Sequence, residues 1–175
     1  MAIDKTKPKA IFIIGRPSSG KSTLSSILVK KINNKAFSSI GRAVLVDADH
    51  LSEFSLMPEK GKFDLSARTK RALHLVKIVS WLQYTGVLPI VAAIGQPSDV
   101  RDNWKKKIKG YFEIYLEANI DSCKKRDYKG TYLLDNVIGK DLPFEEPINS
   151  NLSFQSELMN PEEIATYILD YLKIK

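Results

Sequence analysis

One eight-residue stretch constrains the fold of this chain more than any other feature. Residues Gly15-Arg16-Pro17-Ser18-Ser19-Gly20-Lys21-Ser22 match G-x-x-x-x-G-K-[ST] at every position, a pattern typical of loops that bind nucleotide phosphates. A short apolar run at residues 10–14, typical of a buried strand, precedes it, and a helical pattern over residues 21–32 follows. A strand, a phosphate loop and a helix in this order indicate a nucleoside triphosphate site.

The residue types of this loop suit phosphate chemistry. Glycines let backbone N–H groups turn toward phosphate oxygens, and the N-terminus of the following helix adds partial positive charge. We expect Lys21 to reach the β- and γ-phosphates and the Ser22 hydroxyl to bind Mg²⁺. Thr23 completes the expected ATP-binding positions. The alternative, a glycine turn that merely precedes a lysine, would not explain the strand and helix on either side.

Apolar runs and helical periodicities alternate along the rest of the chain. Further strands are predicted at residues 43–47, 87–94 and 111–118, and further helices near residues 66–85, 98–109, 119–127 and 160–173. Residues 128–151 are polar and contain two prolines, so we expect a mobile loop there. Buried strands that alternate with helices indicate an α/β three-layer sandwich with a parallel sheet, in which ligands bind at the carboxyl ends of the strands.

Length and composition exclude several other classes of protein. A chain of 175 residues is typical of one domain, covering residues 1–175. One cysteine excludes an internal disulfide and fits a reducing cytoplasm. We expect no membrane span and no signal peptide, because the apolar runs are too short. The net charge of +7 suits an anionic ligand, but the lysines are dispersed without an aromatic-basic motif, so we expect no nucleic-acid partner.

Two acidic residues end the second predicted strand. Asp47 and Asp49 flank Ala48, and strand alternation predicts that both carboxylates point to one side. One carboxylate beside the γ-phosphate can accept a hydroxyl proton while the other orients the acceptor or a metal-bound water. The pair favours a small-molecule kinase, since the guanine-reading Asn-Lys-x-Asp of a GTP switch is absent. The alternative is a pair of turn residues at a strand end.

Over residues 9–155 the chain resembles the adenylylsulfate (APS) kinase family. The resemblance rests on GRPSSGKST (15–23), VDADH (46–50), the run Phe63–Arg68, GVLPIVAAI (86–94), FEIYLEA (112–118), CKKRDYKGTY (123–132) and the stretch Gly139–Pro147. It implies a kinase that uses ATP and Mg²⁺ to phosphorylate the ribose 3′-hydroxyl of a small nucleotide acceptor. Members of the family are commonly homodimers, so the resemblance also implies a possible homodimer.

The resemblance further implies roles for individual residues. Asp47 matches the family's base, which would also contact Mg²⁺ through water, and Asp49 matches an acid that helps hold the acceptor; which of the two is the base stays open. Arg126 matches an expected ATP-binding residue at the start of a lid over the nucleotides, which covers about residues 128–147. The other acceptor-side positions are His50, Phe63, Arg68, Arg71, Ile94, Gly95, Gln96 and Lys129. Structural alternatives are a core role for Phe63, a surface position for Arg68 and a helix-terminal charge for Arg126.

Departures from the family pattern cluster on the acceptor side. Ser52 replaces an arginine, Arg71 replaces an asparagine, and Ile94-Gly95-Gln96 replaces Ile-Ser-Pro, so that Gln96 adds an amide able to read a base edge. This pattern predicts the same reaction on a changed acceptor. It implies the branch of the family that phosphorylates cytidine diphosphoramidate during capsule phosphoramidate synthesis. The alternatives are a true APS kinase, a kinase for a sugar or cyclic acid, and a nucleotide-dependent regulator without enzymatic activity.

Overall fold

The computed structural model describes residues 7–34, 41–59 and 64–174. Its strands are β1 (Ala10–Ile14), β2 (Ala43–Asp47), β3 (Leu88–Ala93), β4 (Tyr111–Glu117) and β5 (Leu152–Gln155). Its α-helices are α1 (Lys21–Asn33), α2 (Ala48–Glu53), α3 (Leu65–Tyr84), α4 (Ser98–Lys107), α5 (Ile120–Lys125) and α6 (Pro161–Tyr171). None of the helices in these three ranges has the length and apolar character needed to cross a membrane.

The strands form one parallel sheet in the order β2-β3-β1-β4-β5. β1 is central, with Ile11 opposite Ile90 of β3 on one side and opposite Phe112 of β4 on the other. The chain fills one side of β1 with β2 and β3 and then crosses to the other side with β4. The carboxyl end of β1 therefore lies at the switch point where ligands bind in such sheets.

Side chains of β1 alternate between the two faces of the sheet, as the period of a strand requires. Ile11 and Ile13 pack against α1 and α6, whereas Phe12 and Ile14 pack against α3 and α4. All four side chains are fully buried. Helices on both faces of a parallel sheet make three layers, which confirms the predicted α/β sandwich.

The end of β2 differs from the sequence prediction. The strand ends at Asp47 and α2 begins at Ala48, so the prediction that strand alternation aligns Asp47 with Asp49 was wrong. Asp47 is instead the N-cap of α2, where Oδ1 accepts a 2.9 Å hydrogen bond from the backbone N–H of Asp49. Aspartate is a preferred N-cap because its carboxylate satisfies a free N–H of the first turn.

The segment after α5 is more structured than the predicted loop over residues 128–151. It contains a 3₁₀ helix at Thr131–Leu133 and a β-bridge between Ile138 and Leu142. Tyr132 is buried against Cys123 in a small apolar cluster. The strand β5 follows and was not predicted, because its four residues have too little apolar pattern to indicate a strand. The mobility of this segment stays a prediction.

Candidate active site

The phosphate loop joins β1 to α1 at the carboxyl end of the central strand. Gly20 is the N-cap of α1 and has a φ of 100°, a left-handed conformation that favours glycine. A Cβ on Gly15 would lie 2.5 Å from the carbonyl oxygen of Leu116, so β4 leaves room for glycine alone at that position. The first turn of α1 carries no acidic side chain, which leaves its positive end to attract phosphate.

Lys21 supplies the cation of this loop. Its Nζ donates a 2.5 Å hydrogen bond to the carbonyl oxygen of Arg16. Burial lowers the pKa of Lys21 from 10.5 to about 8, and the negative charges of Asp49 and Asp47 oppose this shift. The phosphate loop and the acid pair, which the sequence predicted to act together, are therefore close enough to interact electrostatically.

Asp47 and Asp49 occupy different environments. Asp47 is only 4% exposed, and its Oδ2 is buried without a hydrogen-bond partner among the described residues. The Asp49 side chain is 67% exposed, and its Oδ2 lies 3.8 Å from Nζ of Lys129. Lys129 also lies 3.6 Å from Glu53. A buried carboxylate oxygen without a partner is costly, so Oδ2 of Asp47 is the oxygen of this pair that a ligand could satisfy.

A cavity of about 440 Å³ lies beside the phosphate loop. Ser19, Gly20 and Thr23 line one side, and Arg126 and residues 156–161 line the other. Arg126 is the C-cap of α5, and its Nη1 donates a 3.0 Å hydrogen bond to Oγ of Ser156. The fold thus brings Arg126 to the loop even though it also ends a helix.

A second cavity, of about 540 Å³, lies between the start of α3, the loop after β3 and residues 136–145. Two predicted acceptor residues, Arg68 and Gln96, line it together. Nη2 of Arg68 donates a 2.9 Å hydrogen bond to the carbonyl oxygen of Asn136. Apolar side chains that could pack on a nucleobase also line this cavity, namely Leu65, Pro97, Ile138, Leu142 and Pro143.

Other predicted acceptor residues are not among the described residues that line this second cavity. Arg71 lies one helical turn after Arg68, and its Nη1 donates a 3.4 Å hydrogen bond to the carbonyl oxygen of Glu59. Burial and the charge of Arg71 both lower the pKa of Arg68. The pair therefore concentrates positive charge at one end of α3. His50 is exposed on α2.

Three further positions predicted on the acceptor side are Ile94, Gly95 and Phe63. Ile94 and Gly95 follow β3, where the carbonyl oxygen of Gly95 accepts a 2.7 Å hydrogen bond from the buried side chain of Arg101. Arg101 had no predicted role, because a basic amphipathic helix does not indicate which of its cations is buried. Phe63 lies outside the described residues.

The side-chain amide of Gln96 is engaged within the protein. Its Nε2 donates a 2.7 Å hydrogen bond to the carbonyl oxygen of Glu145, and its Oε1 accepts a 3.1 Å hydrogen bond from the N–H of Glu145. Gln96 therefore shapes the cavity wall by holding Glu145. Each of its two amide atoms keeps one further hydrogen-bonding position, so whether the amide also reads a base edge stays a prediction.

The segment after α5 covers the phosphate loop. Oγ of Ser18 donates a 3.1 Å hydrogen bond to Asp127, and the hydroxyl of Tyr132 donates a 3.0 Å hydrogen bond to the carbonyl oxygen of Pro17. Tyr132 was not predicted as a site residue, although it belongs to the stretch CKKRDYKGTY that resembles the family. That stretch was the signal that could have identified it.

A parallel sheet with a phosphate loop on its central strand and a carboxylate near the loop lysine is characteristic of a phosphate-loop kinase. The family model described as adenylylsulphate kinase matches residues 7–155, and the chain therefore belongs to the adenylylsulfate kinase family. It is an ATP-dependent kinase, since this family uses ATP with Mg²⁺.

Known relatives carry two different acceptor names. The chain is 30% identical over 149 residues to the cytidine diphosphoramidate kinase of Campylobacter jejuni, which covers 82% of this chain and 84% of that protein. It is 28% identical to the adenylyl-sulfate kinase of Clostridium acetobutylicum over 97% of this chain and 85% of that protein. The APS kinase of Mycobacterium tuberculosis, solved with AMPPNP and APS, has a TM-score of 0.81 at 22% identity and covers 95% of this chain and 98% of its own, which shows the shared fold.

Proposed function

We propose that this protein transfers the γ-phosphate of ATP to the ribose 3′-hydroxyl of an activated nucleotide, with cytidine diphosphoramidate as the acceptor. The observation that carries the proposal is the environment of Asp47. Its buried Oδ2 lacks a hydrogen-bond partner among the described residues, and its charge acts on Lys21 of the phosphate loop. A proton acceptor beside the phosphate-binding cation is the arrangement that phosphoryl transfer to a hydroxyl needs.

The proposed reaction uses both of these residues. Asp47 accepts the proton of the 3′-hydroxyl as its oxygen attacks the γ-phosphorus and the bond to the β-phosphate oxygen breaks, which releases ADP. Lys21, with a pKa of about 8, is mostly protonated at neutral pH and stabilises charge on the transferring group. The exposed Asp49, paired with Lys129, is less suited to be the base, and we assign it to the acceptor side.

The donor atoms near the loop also fit Mg²⁺. This ion prefers oxygen ligands and usually keeps several waters beside phosphate oxygens. The Ser22 hydroxyl and, through water, Oδ2 of Asp47 are the groups that would hold it, since the latter oxygen has no other partner among the described residues. When bound, the ion would neutralise part of the negative charge of the phosphates.

The acceptor is proposed from the second cavity and its neighbours. Arg68 lines that cavity, and Arg71 lies one turn away, so both add positive charge that would attract the anionic end of a nucleotide. Ser52, where the family pattern has an arginine, donates its hydroxyl to the carbonyl oxygen of Ala48 and adds no cation. The similarity to a cytidine diphosphoramidate kinase supports a changed acceptor.

Adenylylsulfate is the second candidate acceptor. The similarity to an adenylyl-sulfate kinase over 97% of the chain favours it. In that case Arg71 would compensate for the cation that is missing at Ser52. Both candidates share the phosphoryl donor, the phosphate loop and the proton acceptor, so they differ only in what fills the second cavity.

An ATP-dependent assay of both acceptors side by side tests the proposal. We expect a higher kcat/KM for cytidine diphosphoramidate and a product phosphorylated at the 3′-hydroxyl, identified by phosphorus and proton NMR. The Asp47→Asn protein serves as the control for ATP hydrolysis by contaminants. A higher kcat/KM for APS would contradict the acceptor, and phosphate on another hydroxyl would contradict the reaction.

We also propose that residues 128–147 act as a lid within one kinase domain. Closure of this segment would exclude water, which competes with the acceptor hydroxyl for the phosphoryl group. Its amides should exchange hydrogen more slowly when both nucleotides are bound, and equal exchange with and without them would contradict a moving lid. The homodimer stays a prediction that light scattering can check.

A further inference from the structure

We propose that Arg16 is a positioning residue for the acceptor cavity, on which it acts through residues 142–146, the strap. The proposal rests on the proposed function in one respect, which is that the cavity lined by Arg68 receives the acceptor. Arg16 belongs to the phosphate loop by its backbone, and the sequence predicted it as an ATP-binding residue. Its side chain, however, extends to the strap.

The guanidinium of Arg16 makes three kinds of contact. Nη1 donates a 3.2 Å hydrogen bond to the carbonyl oxygen of Ala118 at the end of β4. Nη1 and Nη2 lie 3.4 and 3.3 Å from Oε1 of Glu146. Its central carbon lies 4.8 Å from the ring centroid of Phe144, in the geometry of a cation–π contact. The side chain therefore binds the sheet on one side and two strap residues on the other.

The Phe144 side of the strap has further support from the sheet. The ring of Phe144 stacks on Tyr115 with centroids 6.1 Å apart. Tyr115 is the β4 residue paired with Ile14, which directly precedes the phosphate loop. A Cβ on Gly139 would lie 3.3 Å from Cδ and Nε of Arg16, so the chain that leads into the strap passes close to this side chain.

The middle of the strap is held from the opposite direction. Glu145 is bound through its backbone by the amide of Gln96, and its Oε2 accepts a 2.8 Å hydrogen bond from the N–H of Ser98 at the start of α4. Consecutive strap residues are thus attached alternately to the phosphate loop and to the loop after β3. Leu142, Pro143 and Glu145 line the acceptor cavity.

This arrangement connects the two substrate sites through one side chain. Arg16 holds the wall of the acceptor cavity against the phosphate loop, and Gln96 holds the same wall against the loop after β3. Phosphoryl transfer requires the attacking oxygen and the γ-phosphorus to be aligned closely, and small displacements of a bound group lower the rate strongly. Loss of the Arg16 contacts should therefore weaken productive acceptor binding more than ATP binding.

Steady-state kinetics of three variants test this role. For Arg16→Leu we expect kcat/KM for the acceptor to fall about tenfold, with a smaller change in the KM for ATP. Glu146→Gln, which changes an exposed side chain and should fold normally, should shift the same constant in the same direction by a smaller factor. Arg16→Lys should recover only part of the loss, because an ammonium lacks the planar fork that contacts Glu146 and Phe144 together. The matched control is Glu162→Gln, which removes the 2.9 Å ion pair with Lys31 between α1 and α6.

A second readout needs no acceptor and keeps this proposal separate from the proposed function. Hydrogen exchange at the N–H groups of Glu145 and Gly139, which are bonded to Gln96 and to Leu142, should become several-fold faster in Arg16→Leu and stay unchanged in Glu162→Gln. Unchanged exchange together with a tenfold loss of ATP affinity would overturn the proposal and make Arg16 an ATP ligand. If the wild-type protein phosphorylates neither nucleotide, the proposed function fails, while exchange and ATP affinity still decide the role of Arg16.

Discussion

The phosphate loop of this kinase and its proposed acceptor cavity, the second cavity lined by Arg68 and Gln96, are built in different ways. The phosphate loop is one continuous stretch between β1 and α1, and its lysine bonds to a residue five positions away. The acceptor cavity takes Arg68 from α3, Gln96 from the loop after β3 and Glu145 from the strap. Gln96 and Glu145 are 49 positions apart, yet two hydrogen bonds join them.

This difference has a consequence for how such an enzyme can change its acceptor. A continuous loop keeps its geometry as long as its own residues are kept, whatever happens elsewhere. A wall assembled from separate segments can be altered one side chain at a time. Substitutions on the phosphate-loop side should therefore lower turnover with every acceptor, and those on the cavity side should raise the KM for one acceptor.

Asp47, whose charge acts on Lys21 of the phosphate loop, is the proposed base, and its substitution should have the largest effect. We expect Asp47→Asn to lower kcat by about 10²–10⁴-fold, because a positioned general base acts in the transition state. ATP affinity, measured by calorimetry, should change much less. A loss of ATP affinity as large as the loss of kcat would contradict the role as base and leave only the contact with Mg²⁺ through water.

Lys21 tests the phosphate-loop side alone. Lys21→Ala should lower kcat by about 10²–10³-fold with both candidate acceptors, since one preorganised electrostatic contact to the transferring group is lost. Lys31→Ala, a change of another lysine in α1, is the matched control and should keep wild-type kcat. Normal turnover of the Lys21 variant with unchanged Mg²⁺ dependence would contradict the role of this residue.

Arg68 tests the cavity side. Arg68→Leu should raise the acceptor KM by about 10–100-fold, the range expected for one lost charge-assisted hydrogen bond, and should change the KM for ATP little. Lys70→Ala in the same helix is the control, because that side chain pairs with Glu59 on the surface. Equal increases in the KM values for the acceptor and for ATP would contradict a role of Arg68 in acceptor binding alone.

The pKa of Lys21 predicts a smaller effect on stability. Lys21 has a pKa of about 8 in the folded protein and 10.5 ordinarily, so between these values the unfolded chain binds more protons and wild-type stability rises with pH. Below pH 8 both states are charged and the cost of burying the ammonium is complete. Lys21→Met should therefore raise the free energy of unfolding at pH 7 by roughly 1–3 kcal/mol, and this gain should shrink from pH 8 to 10. A gain that is constant with pH in chemical denaturation would contradict a buried charge as its source.

Several parts of the fold were predictable from local patterns. β1 and β2 have the predicted bounds, and β3, predicted over residues 87–94, is Leu88–Ala93. These strands are runs of apolar and β-branched residues next to glycine or aspartate. β1 and β3 are buried on both faces of the parallel sheet, which selects that composition. β5 was missed because its place in the sheet depends on pairing with β4, for instance Ile114 with Leu152, and not on its own four residues.

The candidate site was predictable to a different degree on its two sides. The sequence correctly indicated that the phosphate loop and the acid pair lie together, although it predicted the wrong local geometry for Asp49. The prediction extended the alternation of a strand past Asp47. In the structure the strand ends there and α2 begins, because the Asp47 carboxylate caps that helix. Capping and strand alternation compete at such a position, and the sequence pattern does not reveal which one prevails.

The sequence by itself determined the phosphate loop, the parallel α/β sandwich and the family, because each depends on residues close together in the chain or on burial of whole segments. Only the tertiary structure decided where individual side chains of the site point. Arg16 extends to Glu146, 130 positions away, and Gln96 to Glu145. These directions follow from which charged and polar groups the fold brings within hydrogen-bond distance, and no local pattern in the chain encodes that proximity.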